Sequence, residues 1–309
     1  MLSKSKESHD FRRGSMSKTI KTSNGFIGKN YLLMDIHNNQ KKIAVINDLT
    51  GFGRCSVAVA MPVISKMKIQ CCWLPTAILS NQTGFPSYFM DDYTKHFTEY
   101  ADEWKKLHLQ FQGIETGFLG STEQARLVRH FIRDFRRDDT IVLVDPVMGD
   151  NGHIYPSYDE EHCNAIRKLV RMATIITPNL TEACILTNTP YHDAPWSETE
   201  FQQLLDKLSA LGPKKIVITG IPCGDDILDL SYVDGQMKVH KLPRIGGSRN
   251  GTGDLFASII IADAVNGVDF QESVVKASSF IRACITRSIE MGIPATDGVA
   301  FEELLDQLH

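Results

Sequence analysis

Short runs of unbroken apolar residues alternate along this chain with longer stretches whose apolar positions recur at helical spacing. Lys42–Asn47 (KIAVIN) is apolar until it ends in the polar pair Asn47-Asp48, which predicts a buried strand. A helix is predicted over Cys55–Met67, then a strand at Trp73–Ala77 and a loop over Leu79–Phe89, rich in Ser, Asn, Gly and Pro. Tyr93, Phe97, Tyr100, Trp104 and Leu107 recur near helical spacing and predict a helix over Asp91–Leu107. Strand Ile114–Leu119, helix Thr122–Phe135 and strand Thr140–Val144 repeat the alternation. Helix Tyr158–Met172, strand Thr174–Ile176, helices Leu180–Leu186 and Ser197–Leu211, and strand Lys215–Thr219 continue it. Asp234-Gly235 is a hairpin turn signal between Leu228–Val233 and Met237–Leu242. Three helices close the chain: Asp254–Val265, Phe270–Ile289 and Phe301–Leu308. Near-continuous apolar strands separated by helices predict an α/β three-layer sandwich, a mostly parallel sheet with helices on both faces.

Composition narrows this reading. The longest nearly apolar stretch, Leu255–Val265, is interrupted by Asp263 and falls far short of the ~20 residues of a membrane span. Residues 1–40 are rich in Ser, Lys and Asn and are read as a mobile basic tail ahead of one domain, 41–309. Residues 1–42 hold nine Lys/Arg against three acidic residues, net +6, which leaves −10 of the overall −4 to the rest. An acidic domain excludes general nucleic-acid binding, which needs clustered cations. The seven cysteines form no C-x-x-C pair and are read as reduced thiols of a cytoplasmic protein.

Four motifs carry chemistry. Gly51-Phe52-Gly53-Arg54-Cys55-Ser56 resembles a dinucleotide fingerprint, but Ser56 replaces its third glycine and the downstream acidic residue is missing, which disfavours a nicotinamide or flavin enzyme. No Walker A loop is present. Gly246 to Asp254 (GGSRNGTGD) opens a helix, where glycines and free amides suit an anion; a flexible loop with Asp254 as a cap reads equally well. Asp145 to Asp150 (DPVMGD) places carboxylates at a strand end, suited to Mg²⁺ or simply to a turn. Thr177 to Glu182 (TPNLTE) also closes a strand, and Asn179 with Glu182 makes a capping-box pair. The three acidic or glycine-rich motifs fall at strand-to-helix transitions, which in one parallel sheet share an edge.

Together with NDLTGFG at 47–53, LSNQTGF at 79–85 and TGFLGS at 116–121, these motifs resemble the ribokinase-like superfamily, and within it the pyridoxal (vitamin B6) kinases. The resemblance implies ATP-dependent phosphorylation of a pyridine 5′-hydroxymethyl group, with Asp254 as catalytic base and Gly251, Thr252 and Gly253 as the anion hole for the phosphates. It places Asp145 and Glu182 near the Mg²⁺ and ATP phosphates, with Asn179 and Asp150 behind them. Thr177 and Thr219 match positions near the nucleotide phosphates or a monovalent cation such as K⁺. Asp48, Ser80, Thr83, Gly84 and Tyr155 match the pyridine site. Asp48, where several B6 kinases have Ser, and Gln82, where relatives often have His, depart from the pattern and bear on which vitamer is preferred. Lys238, Lys241, Arg244 and Arg249 are read either as further phosphate contacts or as a solvated basic surface. The cysteine-pair branch of the family is disfavoured, because Asn250 to Asp254 contains no cysteine. A homodimer is implied by analogy. The competing readings are a hydroxymethylpyrimidine kinase and a non-catalytic B6-binding protein.

Overall fold

A computed structural model describes residues 37–309; the basic tail read from the sequence lies almost wholly outside the described residues. Nine strands form the main sheet, in the order β11-β10-β9-β8-β5-β4-β1-β2-β3. They are β1 Lys42–Thr50, β2 Gln70–Leu79, β3 Met90–Asp92, β4 Gly113–Thr116, β5 Ile141–Val144, β8 Ile175–Ile176, β9 Lys215–Cys223, β10 Asp226–Val233 and β11 Gln236–Pro243. The six central strands pair in parallel, and antiparallel β3 and β10-β11 close the edges. A separate two-stranded ribbon, β6 Gly149–Asp150 and β7 His153–Ile154, lies beyond β5.

Strand alternation divides the apolar side chains between two cores. Ile43, Val45, Leu143, Ile175 and Val217 face helices α1 (Val57–Lys66), α7 (Thr252–Asn266) and α8 (Phe270–Glu290). Ala44, Ile46, Ile114, Val142, Val144, Ile176, Ile216 and Ile218 face α2 (Phe97–Lys106), α3 (Thr122–Phe135), α4 (Glu160–Val170), α5 (Leu180–Thr187) and α6 (Glu198–Ser209). Both faces are covered, as the near-continuous apolar strands require. Among the described residues, no helix is long and apolar enough to cross a membrane.

Two expectations need correction. Asp91–Leu107 is not one helix: Met90–Asp92 pairs with β2, a 3-10 turn covers Thr94–His96, and α2 starts only at Phe97. The Tyr93 amide donates to Thr76 O (3.0 Å) and the Thr94 amide to Asp92 Oδ1 (2.7 Å), so tertiary pairing holds this backbone out of the helix its spacing suggests. The last turn, Glu302–Gln307, is 3-10 rather than α-helical.

Contacts to the domain begin within the first described residues. Asn38 Nδ2 donates to His108 O (3.1 Å) and its Oδ1 accepts from the Gln110 amide (3.0 Å), tying residue 38 to the loop before β4. A chain lacking residues 1–36 is expected to keep the full-length melting temperature and turnover, whereas one starting at 41 loses both bonds and melts lower. Loss of more than about tenfold in activity on removing 1–36 would show that the tail docks on the core.

Candidate active site

The carboxyl ends of the parallel strands bring the sequence motifs to one edge, where α/β folds bind ligands. β1 runs through Asn47-Asp48, Asp145 follows β5, Thr177 follows β8, and Thr219 lies within β9. Helix α7 points its N-terminus at this edge, and its N-cap, Gly251, is left-handed with φ 77° and has no side-chain cap. A Cβ on Gly251 would lie 1.9 Å from Arg54 O, so only glycine fits. Uncapped amides of the first turn thus face the edge, with Thr252 Oγ1 turned back to Arg249 O (3.1 Å). The opposing loop is itself left-handed at Arg54 (φ 43°) and Ser56 (φ 55°). An ion pair from Arg54 Nε to Glu302 Oε1 (2.6 Å) and a bond from Arg54 Nη1 to Asp297 O (3.3 Å) hold it.

Asp254, in the first turn of α7, accepts from Asn47 Nδ2 at its Oδ1 (3.2 Å). The Asn47 side-chain oxygen, Oδ1, accepts from the Asp48 amide (2.9 Å) and the Phe118 amide (3.0 Å), which fixes the side-chain orientation so that only its NH₂ can face Asp254. Gly117 permits this, since a Cβ there would lie 2.4 Å from Asn47 Nδ2. Burial, then the charge of Asp48, pushes Asp254 up to about 6 against the lowering effect of the Ser56 amide and Asn47. Asp254 is therefore an ionised carboxylate at neutral pH and more basic than an ordinary one.

Asp145 Oδ1 accepts from Thr177 Oγ1 (3.1 Å); burial first, then Asp254, pushes this carboxyl up to about 7. Its Oδ2 faces α7, 3.7 Å from where a Gly253 Cβ would stand. Glu182 is raised well above its ordinary range by burial and by Asp145. Its Oε1 accepts from the Met148 amide (3.1 Å) and its Oε2 from the Asn179 amide (2.9 Å), the second bond completing the expected capping box of α5. Asn179 Nδ2 reaches Gly149 O (2.8 Å), while Asp150 is exposed and binds Asn151. Among the described residues, no Lys, Arg or His lies within 4 Å of the carboxylates of Asp48, Asp145, Glu182 or Asp254.

This donor set fits Mg²⁺ brought in with a phosphate. The ion takes one or two carboxylates and completes its shell with water and phosphate oxygens. Asp145 offers the open oxygen, and Glu182, with both oxygens engaged by amides, acts through its charge or through water. Among the described residues no group of three His, Cys, Asp or Glu could hold a metal by itself.

A cleft of about 300 Å³ runs from Thr252 and Gly253 past Thr219 and Gly220 to apolar walls that include Pro222, Leu242, Phe256 and Ile285. The basic stretch divides. Arg249 Nη1 is engaged by the carbonyls of Ile293 (2.9 Å), Pro294 (3.2 Å) and Gly298 (3.3 Å). Lys241 pairs with Asp226 (2.8 Å), and Lys238 is exposed on edge strand β11. Arg244 lines the cleft and is exposed.

The residues matched to the pyridine are less openly presented. Asp48 is buried, with Oδ1 accepting from Ser56 Oγ (2.7 Å) and Oδ2 from Thr50 Oγ1 (2.7 Å), and burial raises its carboxyl. Ser80 Oγ donates to Asn81 Oδ1 (2.7 Å) and accepts from the Phe89 amide (2.9 Å). Thr83 and Gly84 are exposed, and buried Gln82 ties them down: its Oε1 accepts from the Gly84 amide and its Nε2 donates to Thr296 O (3.2 Å). Tyr155 is partly exposed beyond β7, its amide bound to Met148 O (2.9 Å).

Known proteins share this fold. A protein from Bacteroides thetaiotaomicron, provisionally described as a phosphomethylpyrimidine kinase and crystallised with pyridoxal, is 36% identical and superposes with a TM-score of 0.84 over 87% of this chain and 96% of its own. Pyridoxal kinase from Lactobacillus plantarum is 26% identical, with a TM-score of 0.80 over 88% of this chain and 97% of its own. A curated pyridoxine/pyridoxal/pyridoxamine kinase from Bordetella avium is 27% identical over 289 residues, 86% of this chain and 91% of that protein. Residues 63–298 match the phosphomethylpyrimidine kinase family. The chain belongs to that family.

In this phosphomethylpyrimidine kinase family member, the residue the sequence reading missed is Asn47. Its signal was in plain view, as an amide interrupting the apolar run of β1 just before the loop, but nothing local says that it reaches a residue 207 positions away.

Proposed function

We propose that the chain transfers a phosphoryl group from ATP to the 5′-hydroxymethyl group of pyridoxal, pyridoxine or pyridoxamine. The supporting observation is Asp254, a basic carboxylate held by Asn47 at the uncapped start of α7 and beside a cleft sized for a small-molecule ligand. A pyridine rather than a pyrimidine acceptor is favoured by the pyridoxal in the Bacteroides crystal and by the vitamin B6 activity of the Bordetella relative.

In this reading Asp254 accepts the proton of the alcohol as the oxygen attacks. Phosphoryl transfer passes through a loose transition state in which proton loss comes late, so a carboxylate near 6 is basic enough. The amides of Thr252 and Gly253 face the charge growing on the phosphoryl oxygens, in a fixed orientation that needs no reorganisation. Asp145 would hold Mg²⁺ directly and Glu182 through water, and the ion when bound neutralises phosphate charge. A monovalent cation such as K⁺ beside Thr177 and Thr219, a cytoplasmic location and a homodimer belong to the same proposal.

The test is ADP formation by the purified chain with ATP and Mg²⁺, with pyridoxal, pyridoxine, pyridoxamine and hydroxymethylpyrimidine offered separately. Turnover of the pyridines is expected, and their ranking reports what Asp48 and Gln82 select. Turnover of the pyrimidine alone would keep the chemistry and overturn the substrate. Binding of a pyridine with no ADP formed would make the chain a B6-binding protein.

A further inference from the structure

One buried carboxylate in the cleft has no part in phosphoryl transfer. Asp229 on β10 is 6% exposed and lines the cleft together with Ser278 of α8. Across β9, Leu228 pairs with Ile221 and Leu230 with Ile218, so Thr219 and Gly220 together face Asp229 alone, a bulge of the kind found beside active sites. Gly220 takes φ 69° there with open space around its Cβ position, so the backbone turn and not packing demands glycine. The bulge delivers the Gly220 amide to Asp229 Oδ1 (2.8 Å), and Ser278 Oγ lies at hydrogen-bond distance from Oδ2.

The carboxylate is thus held firmly, yet no Lys, Arg or His lies within 4 Å of it among the described residues. His240, opposite on β11, is engaged with Ser231 and Gln271 instead. The cleft that Asp229 lines has apolar walls that include Pro222, Ile227, Leu242, Phe256, Ile281 and Ile285. Apolar walls suit a flat uncharged ring, and an anion among them repels phosphate, which has the amides of α7 to go to. A carboxylate offers only acceptors, so it favours a ring edge bearing N–H donors over one bearing a carbonyl.

We propose that Asp229 reads the exocyclic amino group of the nucleotide base, so that the enzyme selects an aminopurine triphosphate over its oxo counterpart. This rests on the kinase reading above. The two are separated by measuring nucleotide binding directly, by calorimetry with Mg²⁺ and no alcohol present. ATP is expected to bind at least about tenfold tighter than ITP, which carries a carbonyl in place of the amino group. In Asp229→Asn the carbonyl oxygen can keep the Gly220 amide. The new NH₂ can donate to Ser278 Oγ, whose own proton has Val274 O at 2.8 Å, and it can also donate to the ITP carbonyl. The preference is then expected to shrink to about threefold or less.

Equal binding of ATP and ITP by the wild type would overturn the inference without any variant. So would an Asp229→Asn chain that binds both more weakly but keeps the wild-type ratio, the mark of a purely structural role. Failure to bind either nucleotide would sink the kinase reading and, with it, the assignment of Asp229.

Discussion

Replacing Asp254 with Asn is expected to lower kcat by at least about 100-fold while leaving nucleotide affinity unchanged or tighter. The amide has the size of the carboxylate and can still accept from Asn47 Nδ2, so the helix start and the amides of Thr252 and Gly253 stay in place. It cannot take a proton. The pH profile separates this from a packing defect. Burial holds Asp254 near 6, so in the wild type the carboxylate is protonated, and the base lost, as pH falls through about 6. kcat/KM at saturating Mg²⁺ should therefore fall on the acid side of that value. In Asp254→Asn that limb should vanish from the residual rate. Steady-state rates between pH 5 and about pH 8 check both points. Wild-type-like turnover in the variant would place the base elsewhere.

Gly251→Ala should be nearly as damaging for a different reason. The added Cβ would stand 1.9 Å from Arg54 O, closer than real contacts allow, at a backbone φ of 77° that side chains resist. Either the α7 start or the 51–56 loop must move. The loop is the less free to do so, because Arg54 is pinned to Glu302 and Asp297 and because Gly298 admits no Cβ, which would lie 2.6 Å from Gly53 O. Displacing first-turn amides by about 1 Å is enough to cost ~100-fold in rate, so kcat/KM is expected to fall by at least that much and the melting temperature to drop. Gly253→Ala is the control for fold. Its Cβ would meet only Asp145 Oδ2, at an ordinary 3.7 Å, so its melting temperature should stay near wild type. Equal thermal stability of the two variants would show that the Gly251 contact is not tight.

The alternation of apolar runs and helical spacings was enough to place the central strands and most helices, because burial on both sheet faces leaves no other stable use for such segments. It misread 91–107, where the Tyr93 amide is taken by Thr76 of the neighbouring strand, a competition no local pattern records. The basic stretch before α7 was ambiguous for a related reason. Only the folded chain shows that Arg249 clamps three carbonyls and that Lys241 pairs with Asp226.

The same division holds at the site. The sequence by itself marked where the candidate site lies, because strand-end carboxylates and a glycine-rich helix start are legible in a few adjacent residues: Asp145, Asn179 with Glu182, and Gly251 to Asp254. Only the tertiary structure decided what those groups can do. Asn47 orients Asp254 from the far end of the chain, Gly117 and Gly251 are glycines because of atoms remote in sequence, and Glu182 has both oxygens taken by amides. A bulge in β9 brings the Gly220 amide onto Asp229, which lines the cleft. Spacing along a chain records neighbours within a helix turn or a strand pair, whereas burial, orientation and charge coupling arise between segments that the fold alone brings within reach.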